Sequence, residues 1–314
     1  MKKGGDAEGY LLLHKHPGLT SFGALGQVKR ALGTTRVGHT GTLDSFAEGL
    51  LIILVGSSTR LVPWFTGCDK TYEGIIRFGT QTDTLDPLGS VVFDAPSPSR
   101  EKLEEALSYF RGNILQSPPL YSAVHIDGHR AHELARSGLA PEMKPRWIRI
   151  HSLELESYNG IDAQIRVVCS KGTYIRSLAR DIALACASRA HLFALKRTAV
   201  AGFTLDEAIN PEKATKYKNK TNQQEEILAL LRQNLRPLDE HAFEALKLPF
   251  LHVQDDIAHY MSNGRSIDPK WIEGFQEANS LGIFSLRGVL LAIINASEGC
   301  YSYKYVNPKS GQTC

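Results

Sequence analysis

Apolar positions along the chain recur with spacings that change from segment to segment. Tyr10 to His14 predicts a buried strand, and beyond it Leu25, Val28 and Leu32 recur at helical spacing, with Ser21 placed to cap that helix and Gly33 to end it. Gly49 to Gly56 bounds an apolar run too short for an ordinary helix, which predicts a central strand. Tyr72, Gly74, Ile76 and Phe78 alternate with Glu73, Ile75 and Arg77, as on a two-faced strand. Leu103, Ala106, Leu107 and Phe110 mark a helix over Arg100 to Phe110; Ile175, Leu178, Ala179, Ile182 and Ala183 mark another over Ile175 to Cys186. Strand patterns lie between them at Arg146 to Ile150 and Ile161 to Cys169. Strands that follow strands, with helices interspersed irregularly, predict an α+β fold: a mixed, largely antiparallel sheet with flanking helices, not a doubly wound one.

Residues 1–240 are expected to form one domain. Within it, Lys213, Lys216, Lys218 and Lys220 with the neighbouring Asn and Gln read as a solvated linker or insertion over 212–224. A helical stretch at Gln254 to Met261 and apolar runs at Gly282 to Leu286, Val289 to Ile294 and Tyr301 to Val306 predict a small β-rich module over 241–314. A length of 314 residues suits about two domains, and 42% hydrophobic with 22% charged residues excludes a disordered or fibrous chain. The longest uninterrupted apolar stretch, Leu50 to Val55, is far short of a bilayer span, so no membrane association is expected and the chain is assigned to the cytoplasm. Five cysteines without a C-x-x-C pair argue against a disulfide framework or a zinc ribbon. A net charge of +3 does not by itself call for nucleic acid.

The most informative segment is Gly38 to Leu51, G-H-T-G-T-L-D-S-F-A-E-G-L-L. Taken alone, it is a glycine-rich turn in which Asp44 or Thr42 caps the next element. Taken whole, its glycines allow a close backbone approach, an aspartate sits at the tip, and an apolar strand behind fixes the loop. The string closely resembles the catalytic-aspartate motif of RNA pseudouridine synthases, and its G-H-T-G is similar to that of the bacterial tRNA pseudouridine-55 synthase (TruB) family. Other segments match in order over about residues 10–210. Lys15, Pro17, Gly18, Thr20 and Ser21 resemble the family's N-terminal K-P-x-G-x-T-S element; Lys70, Tyr72, Phe78 and Gly79 its K-x-Y strand; Thr82, Asp83, Thr84, Asp86 and Gly89 its T-D-T-x-D-x-x-G. Pro118, Pro119, Tyr121, Ser122 and Ala123 follow, then Gly172, Thr173, Tyr174, Ile175 and Arg176, and Leu195, Lys196, Arg197 and Thr198.

The resemblance implies isomerisation of a uridine in the T loop of tRNA. The N1–C1′ bond breaks, the uracil turns, and the sugar is rejoined through C5, with neither cofactor nor metal. Asp44 takes the nucleophile position, attacking the sugar or stabilising the developing glycosyl cation, and Arg176 pairs with it. Tyr72 stacks under the uracil and assists proton transfer; Tyr174 and Leu195 complete the pocket. His39 fills the stack that the flipped base leaves. Gly41, Thr42, Leu43, Lys15, Pro17, Lys70, Lys196 and Arg197 are the further substrate-binding positions. The expected partner is tRNA, through its T arm; no protein partner is implied. The C-terminal module resembles a PUA domain, a small RNA-binding barrel. The chain departs from the family's usual residues at His125 (Lys), His132 (Tyr) and Glu48 (Thr or Ser). Two other classes compete: an RNA-binding helper of tRNA folding without essential catalysis, and a glycoside hydrolase pairing Asp44 with Asp83 or Asp86. The second needs two carboxylates on one sugar, whereas T-D-T-x-D-P-x-G is also ordinary turn chemistry.

Overall fold

The structure is a computed structural model and describes residues 7–126, 128–139, 141–214, 220–272, 274–275, 278–297 and 300–307. The expectations for Lys216 and Lys218, and for the side chains of His132, Lys213 and Lys220, fall outside it.

The main sheet is built from β1 (Gly9–Lys15), β2 (Val37–His39), β3 (Glu48–Val55), β4 (Lys70–Phe78), β5 (Gly112–Gln116), β6 (Arg146–Tyr158), β7 (Asp162–Cys169), β8 (Ala190–Val200) and β9 (Phe203–Thr204). Its path runs β1-β3-β8-β4-β7-β6-β5, with β2 beside β3 and β9 beside β8. Every pairing is antiparallel except β3 with β8, which meet in parallel at Glu48–Lys196 and Gly49–Arg197. Helices α1 (Ser21–Leu32), α2 (Arg100–Tyr109), α3 (Ile175–Ala185) and α4 (Lys220–Gln233) flank it.

The unbroken apolar run in β3 has a packing cause. Leu50, Ile52 and Leu54 enter one core with Tyr10, Leu12 and Phe203, while Leu51, Ile53 and Val55 enter another with Leu11, Leu13 and the inner face of α1. A strand buried on both faces cannot alternate. On β4 alternation survives: Tyr72, Ile76 and Phe78 pack against Ile165, Val167 and the apolar face of α3.

Two local expectations change. The cap of α1 is Thr20, whose side chain accepts from Gly23 N, and Ser21 is instead the first helical residue. Part of the stretch read as a linker, Lys220 to Gln224, begins α4, whose Leu231 is buried against α1.

After α4 the chain rejoins β1, where Tyr10 and Arg236 exchange backbone hydrogen bonds of 2.8 and 2.9 Å. Helices α5 (Glu240–Ala245) and α6 (Asp255–Ser262) accompany a second sheet, β10 (Phe250–Val253), β11 (Ala278–Ser285), β12 (Leu290–Ser297) and β13 (Cys300–Val306), in linear order. Phe243, Phe284, Leu290, Ile293 and Tyr305 share one core with Tyr10, Leu50 and Phe65, so this sheet packs directly on the first. Among the described residues no helix is long and apolar enough to cross a membrane.

Candidate active site

The loop between β2 and β3 carries Asp44, and three separate elements hold it. Ser21 Oγ accepts from Leu43 N at 2.9 Å and donates to Leu43 O at 3.0 Å, pinning the residue before Asp44 to the start of α1. Arg197, fully buried on β8, donates through Nε to Leu50 O at 2.8 Å and through Nη2 to Gly41 O at 3.1 Å. Lys15 Nζ donates to Ala47 O, Leu19 O and His16 O at 2.6, 2.7 and 3.1 Å.

Three of the residues expected to bind substrate, Lys15, Lys70 and Arg197, are engaged within the protein. An ammonium has three protons, and all three of Lys15's are committed to backbone carbonyls in a fully buried setting, where burial pushes its pKa down to about 8. Lys70 is buried as well, donating to Thr66 O at 2.8 Å and Cys68 O at 2.5 Å. Lys15 and Arg197 hold the Asp44 loop from within, and Lys70 holds the turn that leads into β4. Lys196 is half-exposed but lies 4.0 Å from Glu73. Pro17 and Thr42 are exposed, Gly41 is half-buried, and Leu43 and Leu195 are buried beside Tyr72.

Asp44 meets Arg176 edge to edge, with Nε 2.8 Å from Oδ2 and Nη2 3.0 Å from Oδ1. Arg176 lies in the first turn of α3, where the helix dipole disfavours a cation. Asp44 offsets this, as do Thr84 O at 2.9 Å from Nη1 and Tyr121 O at 3.0 Å from Nη2. The guanidinium is almost fully buried, whereas the Asp44 side chain keeps 33% exposure, so the carboxylate is the end of the pair open to a ligand. Tyr174 precedes α3, its backbone N–H and C=O both bound by the Gln116 amide, with the Arg146 guanidinium 4.9 Å from its ring centre. Gln116 and Arg146 lie outside the motifs that carry the resemblance; nothing local in the sequence marks Gln116, and Arg146 reads there only as part of a basic strand face.

Tyr72 pairs across the sheet with Arg197 and Val167, placing its ring among Leu43, Leu195 and Ile175. Burial raises its phenol pKa, with Arg197 opposing, so the hydroxyl keeps its proton near neutral pH. This suits a ring that stacks and a hydroxyl that donates; it does not suit a resting base. His39 is half-buried on β2, and burial followed by Arg197 lowers its imidazole pKa, which keeps it neutral. Asp83 and Asp86 serve the turn. Asp83 Oδ1 accepts from Thr84 N and Ser90 N, both at 2.9 Å, and Asp86 Oδ1 from Thr84 Oγ1 at 2.7 Å and Leu88 N at 3.0 Å. That turn presents Thr84 O to Arg176, so its contribution to the site is support of the arginine. The sequence also shows no metal-ligand cluster, yet the fold gathers His14, His16 and Glu48.

The architecture around this pair is that of the pseudouridine synthases. A chain of a Cbf5–Nop10–Gar1 complex superposes with a TM-score of 0.67 at 23% identity, over 98% of this chain and 81% of that one. A chain of an H/ACA RNP with a substrate RNA gives 0.66 at 22% identity, over 94% and 82%. Residues 29–175 match the N-terminal domain of the TruB family of pseudouridylate synthases. The tRNA pseudouridine synthase B of Treponema denticola is 36% identical over 93% of this chain and 96% of its own, and that of Bordetella avium 47% over 66% and 87%. The chain belongs to the TruB family.

Proposed function

We propose that this chain isomerises uridine 55 in the T loop of tRNA to pseudouridine, with Asp44 as the catalytic carboxylate. The observation that carries the reading is the Asp44–Arg176 pair: a carboxylate gripped on both oxygens from within the protein and open on its outer side. The reaction exchanges one bond to C1′ for another. N1–C1′ breaks, C5–C1′ forms, a proton leaves C5 and one is taken up at N1, so no external reagent is needed. Asp44 faces the sugar carbon, where the glycosidic bond loses electron density as it breaks. Arg176 fixes both carboxylate oxygens, limiting reorientation as charge develops. Tyr72 stacks against the uracil, Leu43 and Leu195 exclude water, and His39 takes the place of the extruded base. Residues 241–314 act as a PUA-like RNA-contacting module, and the protein works in the cytoplasm.

The test is incubation of the purified protein with unmodified tRNA and with an isolated T-arm stem-loop, followed by mapping of pseudouridine. Conversion at position 55 supports the reading. Tight binding with faster tRNA folding and no conversion would favour the folding-helper alternative.

A further inference from the structure

His14 and His16 flank the buried Lys15, and their rings stack with centroids 4.5 Å apart and 18° between planes. One amide touches both: Asn210 Oδ1 lies 2.8 Å from His16 Nε2, and Asn210 Nδ2 lies 3.2 Å from His14 Nδ1. The opposite nitrogen of each ring faces a carboxylate. His14 Nε2 is 3.4 Å from Glu48 Oε2, and His16 Nδ1 is 3.4 Å from Glu212 Oε2. His14 Nε2 is buried and has no hydrogen bond of good geometry, although it faces that carboxylate. One ligand-capable atom from each of His14, His16 and Glu48 lies within 4.8 Å of the other two.

We propose that His14, His16 and Glu48, with Glu212 as a fourth side chain, bind a divalent ion of the zinc class that ties the N-terminal strand to the base of the Asp44 loop. Imidazole nitrogen with carboxylate oxygen is a donor set that suits zinc. A tetrahedral ion with bonds of about 2.1 Å holds its ligands about 3.4 Å apart, the spacing of both histidine–carboxylate pairs, and ring rotation brings the wider separations in. Asn210 occupies the place of an outer partner that orients ligating imidazoles. Its carbonyl oxygen accepts the N–H at His16 Nε2, leaving Nδ1 to ligate, whereas its Nδ2 faces His14 Nδ1, so the amide must turn for His14 to ligate through Nε2.

The four ligands come from three stretches of chain. His14 and His16 bracket the lysine that holds Ala47, Glu48 directly follows Ala47, and Glu212 lies beyond the last strand of the main sheet. The ion therefore stiffens the loop from outside the pocket and takes no part in the reaction.

The experiment titrates zinc chloride or cobalt(II) chloride alone into the chelator-treated full chain, read by calorimetry and by cobalt absorption. One equivalent is expected to bind with a tetrahedral cobalt spectrum lacking a thiolate band, and zinc should raise the thermal midpoint where magnesium does not. His16→Asn and Glu48→Thr should each weaken binding at least tenfold and remove most of that rise, with the unliganded folds unchanged by circular dichroism. Because the chain has 11 histidines, His125→Asn, on an exposed two-residue strand, serves as the adventitious control and should bind as the parent does. Equal zinc affinity in the parent, His16→Asn and Glu48→Thr chains, or no stoichiometric binding, overturns the site and leaves a hydrogen-bonded cluster only.

Discussion

Arg176 grips Asp44 from 132 residues further along the chain, two parallel N–H···O bonds of 2.8 and 3.0 Å joining one planar fork to one planar carboxylate. The geometry separates chemistry from binding, because the buried guanidinium cannot reach an RNA phosphate and the carboxylate adds little to affinity for a polyanion. Asp44→Asn is therefore expected to abolish turnover while tRNA affinity stays within about tenfold, roughly 1.4 kcal/mol. Arg176→Lys keeps the charge but loses the fork, and kcat should fall by at least about a hundredfold with affinity again held. Single-turnover rates beside filter-binding affinities check both, and substantial turnover by Asp44→Asn would end the assignment.

Lys15 carries a prediction about pH. With a pKa of about 8 when folded against an ordinary 10.5, the unfolded chain holds this proton more tightly, so this group's contribution to stability rises as pH passes from about 8 to 10.5. Lys15→Met leaves three carbonyls without their donor and should cost about 2–4 kcal/mol at pH 7. The gap from the parent should widen between pH 8 and 10.5, since only the parent gains from losing the proton. Urea unfolding across that range checks the sign.

Gly49 is where backbone geometry and the site meet. Its φ is +119°, and a Cβ there would stand 2.3 Å from Arg197 O and 2.5 Å from Arg197 N. Gly49→Ala must push β3 away from β8 at their parallel contact, displacing the arginine that holds Gly41 and Leu50. A loss of at least about 2 kcal/mol in urea unfolding is expected, with a fall in kcat. Unchanged stability would show that the two strands separate freely.

Much of this was legible in the chain, and the exceptions share a cause. The strand at Gly49 to Val55, the alternation at Tyr72 to Phe78 and the helix opening at Ile175 all follow from local spacing, because each element's burial is written in its own residues. The motifs around Asp44, Tyr72 and Arg176 pointed to the candidate site through family resemblance. Lys15, Lys70 and Arg197 were read as substrate-binding positions from their motifs, where a basic residue looks the same whether it faces solvent or backbone carbonyls. Only the tertiary fold reveals that their partners are backbone carbonyls, those of Ala47 and Gly41 in the loop among them. Ser21 was read as a cap for the similar reason that its true partner, Leu43, is remote in sequence. The start of α4 at Lys220 was hidden by polar composition, since the helix is held chiefly by Leu231 and its apolar neighbours against α1.

His39 tests the base-flipping step separately from the chemistry. The imidazole sits half-buried on β2 opposite Ile53, and its lowered pKa keeps it neutral at pH 7, so its contribution is a flat apolar face and not a charge. If that face fills the gap left by the uridine, His39→Ala should leave the pocket intact but raise the cost of opening the T loop by a stacking contribution of about 1 to 3 kcal/mol. The defect should then shrink on a T arm whose loop contacts are weakened, because part of the opening cost has been removed beforehand. Asp44→Asn should show no such rescue. The ratio of mutant to parent kcat/KM should also stay constant from pH 7.5 to 8.5, since an imidazole whose pKa is lowered from the ordinary 6.5 stays neutral across that window. Equal ratios on intact and loosened stem-loops would mean that His39 acts within the protein, most simply by holding β2 and the loop that follows it.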